Sequence, residues 1–179
     1  MPTTAFPTEY VVVDVETTGF KPEEGHVIIE VAAQRIHGSD TVDQYTSLVT
    51  ADRPLHPDNV KFNGIDDNLL LREGKSPLDV FPILREFLQN SVLIGHNVPF
   101  DIGFMNAHFK KHQLALLDNQ TLDTLDLSRR YLILPSYSLE SVARYLKVPQ
   151  SVAHRALADV ETTRLVFLKL VERAAKVGR

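Results

Sequence analysis

Asp14 and Glu16 stand two residues apart at the end of an apolar run, Val11-Val12-Val13-Asp14-Val15-Glu16-Thr17-Thr18-Gly19. Three consecutive β-branched residues read as a central strand with both faces covered. Side chains alternate along a strand, so the two carboxylates project from one face. Two anions side by side at the end of a buried strand are costly unless a cation neutralises them. Hard oxygen donors of this kind suit Mg²⁺ or Mn²⁺ better than zinc. Taken alone, the pair is also compatible with an acidic strand end that turns into solvent through Thr17-Thr18-Gly19.

Two further places combine a structural signal with polar chemistry. In Gly95-His96-Asn97-Val98-Pro99-Phe100-Asp101 a short apolar strand turns into a helix. Asp101 falls early in that helix, at the positive end of its dipole, where helix capping would also favour it. His96 reads equally as a packed core histidine. Near the C-terminus, Ala153-His154-Arg155-Ala156-Leu157-Ala158-Asp159 places a histidine and an aspartate five residues apart. In one continuous helix they would point ~140° apart. With His154 in the loop leading in, both can approach a shared point; otherwise they are a solvated histidine beside a first-turn carboxylate.

The elements that must position these groups follow from periodicity and turn signals. Strands are expected over Tyr10–Glu16, Val27–Ile36 and Thr41–Val49, the last two joined as an antiparallel hairpin by Gly38-Ser39-Asp40. Ser76-Pro77 reads as an N-cap with proline at the first helical position, followed by Val80, Phe81, Leu84, Phe87 and Leu88 at helical spacing. Ser91–Gly95 is a fourth strand, and Ile102, Phe104, Met105 and Phe109 mark the helix after it. A short strand is expected near Thr121–Leu122. Helices follow over Thr124–Tyr131, Leu139–Leu146 and Ala156–Ala175, the last with Leu157, Val160, Leu165, Leu168 and Val171 as its core stripe. The order implies a mixed sheet in an α/β domain, with the fourth strand parallel to the first. Ligands in such open sheets sit beyond the carboxyl ends of the strands, where Asp14 and Glu16 lie.

Bulk properties narrow the class. The 179 residues suit one domain, 1–179, with a substantial core, and 44% hydrophobic with 23% charged residues is an ordinary globular balance. No apolar run approaches the ~20 residues of a membrane span. The N-terminus lacks the basic flank and apolar core of a signal peptide, so a cytoplasmic protein is expected. With no cysteine, disulfides, thiolate metal sites and cysteine nucleophiles are all excluded. A net charge of −4 does not itself suggest nucleic-acid binding. Carboxylates that hold divalent cations would, however, lower the formal count without making the loaded site negative.

The motifs in combination resemble the DEDDh family of 3′–5′ exonucleases, and within it the proofreading epsilon subunit of bacterial DNA polymerase III. The resemblance runs from Val11 to about Leu170. It covers Asp-Val-Glu-Thr-Thr-Gly, Phe62-Asn63-Gly64-Ile65, Gly-His-Asn-x-x-Phe-Asp and His-Arg-Ala-x-x-Asp, with His-x₄-Asp marking the histidine subclass. It implies a ribonuclease-H-like mixed sheet with helices on both faces, and two Mg²⁺ or Mn²⁺ ions. Asp14, Glu16 and Asp159 would hold one ion. Asp14 would bridge to the second, with Asp101 reaching it directly or through water, and His154 would deprotonate the attacking water. Such a scheme is chemically coherent: two cations about 4 Å apart can stabilise attacking and leaving oxygens in line, and histidine is suited to take the proton near neutrality.

With less force, the resemblance places Thr17, Thr18, Gly64, Ile65, Asn97 and Phe100 against the terminal nucleotides, while core packing accounts equally for Ile65 and Phe100. It implies nucleic-acid 3′ ends as partner, with single-stranded or frayed DNA favoured and nucleoside 5′-monophosphates released. An exoribonuclease on the same scaffold is the near alternative. A catalytically silent module docking on a polymerase or helicase is a different class, disfavoured by the presence of all five catalytic positions. The epsilon subunit carries a polymerase-binding segment after its nuclease domain. Here the sequence stops at Arg179, so a polymerase partner is expected to lack that tether.

Overall fold

The alternation of β1 (Glu9–Thr17) organises the molecule, because its two faces serve two different layers. The computed structural model describes residues 6–150 and 154–177. β1 pairs antiparallel with β2 (Ile28–His37), and β2 with β3 (Asp40–Leu48). On its other side β1 runs parallel to β4 (Leu93–Gly95), which is parallel to β5 (Thr121–Asp123). The sheet order is therefore β3-β2-β1-β4-β5. The expected hairpin and parallel fourth strand are both present.

Helices in chain order are α1 (Pro57–Asn63), α2 (Asp67–Glu73), α3 (Pro77–Leu88), α4 (Val98–Lys111), α5 (Thr124–Tyr131), α6 (Leu139–Leu146) and α7 (Ala156–Val177). Val11, Val13 and Val15 point into a core shared with Val80, Phe81 and Leu84 of α3 and Phe104, Met105 and Phe109 of α4. Tyr10 and Val12 point the other way, against Ala156, Val160 and Phe167 of α7. Asp14 and Glu16 belong to this second register, so the α7 face is where the acids emerge. α6 packs on the outer side of α7 through Val142 and Ala143 against Val166 and Leu170. Among the described residues no helix is long and apolar enough to cross a membrane.

Two expectations need revision. α1 and α2 lie between Val49 and Ser76, a stretch for which no element was expected. Each is seven residues long, and Leu70 is the buried side chain of α2, too little for a periodic stripe. Their caps were nonetheless visible: Pro57 opens α1, and the Asp66 side chain accepts from Leu69 N at 2.7 Å to open α2. In α7 the deepest line is Ala156, Val160, Thr163, Val166, Phe167 and Leu170, whereas Leu157, Leu165, Leu168 and Val171 are half-buried flanks. The helix is sandwiched between the sheet and the α5–α6 layer, so its buried arc is wider than one stripe and admits small and polar residues.

Candidate active site

Asp14 and Glu16 leave β1 on the α7 face, and the first turns of α7 bring Asp159 to them. One carboxylate oxygen from each of the three lies within 4.8 Å of the others. Burial is the first cause that pushes the Asp14 carboxyl well up, and Asp101, Asp159, Glu16 and Glu30 add repulsion. Glu16 is pushed up to about 7, again first by burial, against the Asn63 amide that donates to its Oε2 at 3.3 Å. Asp159 is raised by burial too, with His154 opposing. Three acids made reluctant to ionise at one point are what a hard divalent cation would relieve, and an all-carboxylate donor set fits Mg²⁺ or Mn²⁺.

Asp101 adjoins this group from the other layer. The N–H of Val11 donates to Val92 O at 2.9 Å, but β4 ends at Gly95, leaving Val15 without a strand partner on that side. Asp101 Oδ1 accepts from Val15 N at 3.0 Å instead. The Asp101 carboxylate thus completes the sheet edge beside the acids of β1. The carboxyl is 3% exposed and pushed up to about 8, chiefly by burial.

His154 lies outside the helix, as a shared approach with Asp159 requires. It precedes α7 in a left-handed backbone conformation (φ 62°), is exposed, and donates its N–H to Asp159 Oδ2 at 3.2 Å. The structure therefore brings Asp14, Glu16 and Asp159 together, with Asp101 bonded to Val15 of the same strand and His154 bonded to Asp159.

The other expected positions divide. The Thr17 hydroxyl donates to Gly19 O at 2.6 Å, and Thr18 Oγ1 accepts from Val27 N at 3.0 Å and meets His26 Nδ1 at 3.3 Å. Both threonines shape the turn that leaves β1. Gly64 caps α1 with φ 73°, a conformation that suits glycine, and space is open where a side chain would stand. Asn97 is exposed, left-handed at φ 68°, and held by Asp123 Oδ1 accepting its N–H at 2.8 Å. Phe100 is half-buried against Phe104, ring centroids 4.9 Å apart. Ile65 is fully buried with Ile29 and Leu70, as the core-packing reading of this residue expects. His96 is held at both nitrogens. Nε2 donates to Tyr137 O at 2.8 Å and Nδ1 meets Thr124 Oγ1 at 2.9 Å, a structural role.

Two residues were missed from sequence. Glu30, on β2 directly opposite Glu16, receives a forked pair of bonds from Arg155 and a third from Ala156 N. Asn63 joins Glu16 to the Gly64-Ile65 segment, since its Oδ1 accepts from Ile65 N at 3.1 Å. Asn63 stood inside the Phe62-Asn63-Gly64-Ile65 motif with no role attached to it. A glutamate inside an otherwise apolar strand, Ile28-Ile29-Glu30-Val31, was the available signal.

A mixed five-stranded sheet that gathers acids at the carboxyl end of its central strand is a ribonuclease-H-like fold. The family described as "Exonuclease" (RNase_T) matches residues 11–167. The chain belongs to this exonuclease family. It is 36% identical over 172 residues to the PolC-type DNA polymerase III of Lacticaseibacillus paracasei, covering 94% of this chain and 12% of that protein. The corresponding protein of Thermotoga maritima is 36% identical over 169 residues with the same coverage. The chain thus spans about an eighth of these relatives (12%). In fold it is similar to E. coli exonuclease I solved with a dA16 oligonucleotide, with a TM-score of 0.83, 22% identity, and coverage of 96% of this chain and 42% of that one. Exonuclease X in complex with 5′ overhanging duplex DNA gives a TM-score of 0.71, 21% identity, and coverage of 95% and 99%.

Proposed function

We propose that residues 1–179 act as one metal-dependent 3′–5′ exonuclease domain. It would hydrolyse the terminal phosphodiester of single-stranded or frayed DNA and release nucleoside 5′-monophosphates in proofreading or repair. The observation that carries this reading is the convergence of Asp14, Glu16 and Asp159 within 4.8 Å, with His154 held at the same helix entrance. Asp14, Glu16 and Asp159 would hold one Mg²⁺ or Mn²⁺, and Asp14 with Asp101 would serve a second. Bound there, such ions stabilise charge on the phosphate and on the attacking and leaving oxygens. His154 takes the proton of the attacking water on a ring nitrogen, and its backbone bond to Asp159 fixes where that ring begins. The Thr17-Thr18 turn, Gly64 and the backbone of Ile65, Asn97 and Phe100 line the approach of the 3′ end. Likeness to PolC-type polymerases supports DNA as substrate and a polymerase as companion.

A digestion panel tests the proposal, using 5′-labelled single-stranded DNA, matched duplex, mismatched-end duplex and RNA, each with Mg²⁺ or Mn²⁺. The label should persist in a descending ladder, and mismatched ends should be cut faster than matched ones, since unpairing costs least there. Immediate release of the label as a mononucleotide would overturn the polarity. RNA cut faster than DNA would overturn the substrate class.

A further inference from the structure

Glu30 is an acid placed beside the three converging carboxylates but claimed by other partners. It sits opposite Glu16 in the β1–β2 register, so both side chains emerge on the same face of the sheet. Its carboxylate is 7% exposed as a residue, yet it is not one of the three acids that converge. Both oxygens are occupied. Arg155 Nε meets Oε2 at 3.1 Å and Arg155 Nη2 meets Oε1 at 2.7 Å, the two-toothed fork that guanidinium makes with carboxylate. Ala156 N donates to Oε2 at 3.0 Å. Ala156 is the first residue of α7, so Glu30 caps that helix from a neighbouring strand and places a negative charge at its positive end.

The clasp closes on the residues immediately after His154. His154 is left-handed and exposed, and its backbone is tied forward to Asp159. Arg155 and Ala156 are tied to the sheet through Glu30. We infer that Glu30, acting through Arg155, is a positioning residue that sets where His154 stands relative to Asp14, Glu16 and Asp159. This inference rests on the role of His154 proposed above.

A double-mutant cycle separates positioning from simple support of the fold. Glu30→Gln removes the charge but keeps an oxygen that can accept from Ala156. The guanidinium left behind is solvated, because the Arg155 side chain is 42% exposed, and the variant is expected to fold. Single-turnover rates on a 5′-labelled oligonucleotide at saturating Mn²⁺ should fall about 10–100-fold, the usual loss when an outer partner of a metal site is removed. In a His154→Ala background the same change should alter the rate by no more than about twofold, since nothing remains to position. Mn²⁺ affinity by calorimetry should stay close to wild type, while amide exchange at Ala156 rises.

Arg155→Lys, which keeps the charge and loses the fork, should reproduce the pattern and serves if Glu30→Gln does not fold. Equal losses in both backgrounds, or a collapse of Mn²⁺ affinity, would overturn the inference while leaving the nuclease reading intact. A His154→Ala protein as active as wild type would refute the role of His154, and the inference with it.

Discussion

Glu16→Gln should make the metal-free protein more stable at alkaline pH while destroying its use. Burial, with Asp159 and Glu30 adding repulsion, raises the Glu16 carboxyl from 4.5 to about 7. A carboxyl raised in the fold supports stability below its unfolded value and loses that support as pH rises through the folded value. The window for Glu16 therefore runs from about 4.5 to about 7. By pH 8 the ionised side chain costs about 3 kcal/mol relative to the unfolded chain. Glutamine escapes this cost and still accepts from Asn63. His108 titrates in the opposite sense: its Nε2 accepts from Ile28 N at 3.1 Å, and burial lowers it to about 4. Its support is lost as pH falls from 6.5, and that loss is common to both proteins, so it cancels in their difference. Thermal melts in chelator should show little gap at pH 5 and Glu16→Gln ahead by about 6–12 °C at pH 8, at ~2–4 °C per kcal/mol for a chain this size. Mn²⁺ at a hundred times its dissociation constant returns about 2.7 kcal/mol to wild type and should nearly close the gap. A gap that is the same at pH 5 and pH 8 in chelator would refute the argument that burial and neighbouring acids hold Glu16 against ionisation.

The remaining expectations concern catalysis and packing. Chelation should abolish hydrolysis, and Asp14→Ala should do so at any metal concentration while the protein still folds, as circular dichroism and the digestion assay together would show; activity in excess chelator refutes the metal scheme. His154→Ala should lower turnover by roughly 10²–10⁴ and flatten the rise of rate with pH between pH 6 and pH 9 at saturating metal, and a wild-type curve removes it from the mechanism. Ile65→Ala should cost about 2–5 kcal/mol in urea unfolding with turnover changed less than about tenfold in the metal-loaded protein; a large turnover loss at unchanged stability would favour a substrate contact over core packing for Ile65.

The layer plan of this fold was legible because β1 and β2 are buried on both faces and read as unbroken apolar runs. Val11-Val12-Val13 and Val31-Ala32-Ala33 can belong nowhere but the centre of a sheet. β3 was also recognisable, through the Gly38 turn and its polar alternation at the edge. What escaped was structure held by a few residues. α1 and α2 exist because caps and one buried leucine suffice for seven residues packed beside β2, and no periodic stripe accompanies them. The α7 stripe was misjudged for a related reason. Periodicity identifies a helix that faces one neighbour, but α7 has the sheet on one side and α6 on the other. Thr163, at 1% exposed, is as deep as its apolar neighbours.

The acids themselves were legible from local rules, since strand alternation alone put Asp14 and Glu16 on one face. Their partners came from motif resemblance, because Asp101 and Asp159 look like ordinary first-turn aspartates until the sheet brings them to β1. The supporting groups were invisible for a physical reason: Glu30 meets Arg155 across 125 residues, and Asn63 meets Glu16 across 47. Each bond exists only after β2 pairs with β1 or α1 docks beside it. The sequence motifs carry the acids that converge beside β1, while the sheet register brings together the groups that hold the entrance of α7. An Asp-x-Glu strand grafted without its Glu30 partner should therefore still bind Mn²⁺, yet leave His154 without the tether that fixes the entrance of α7.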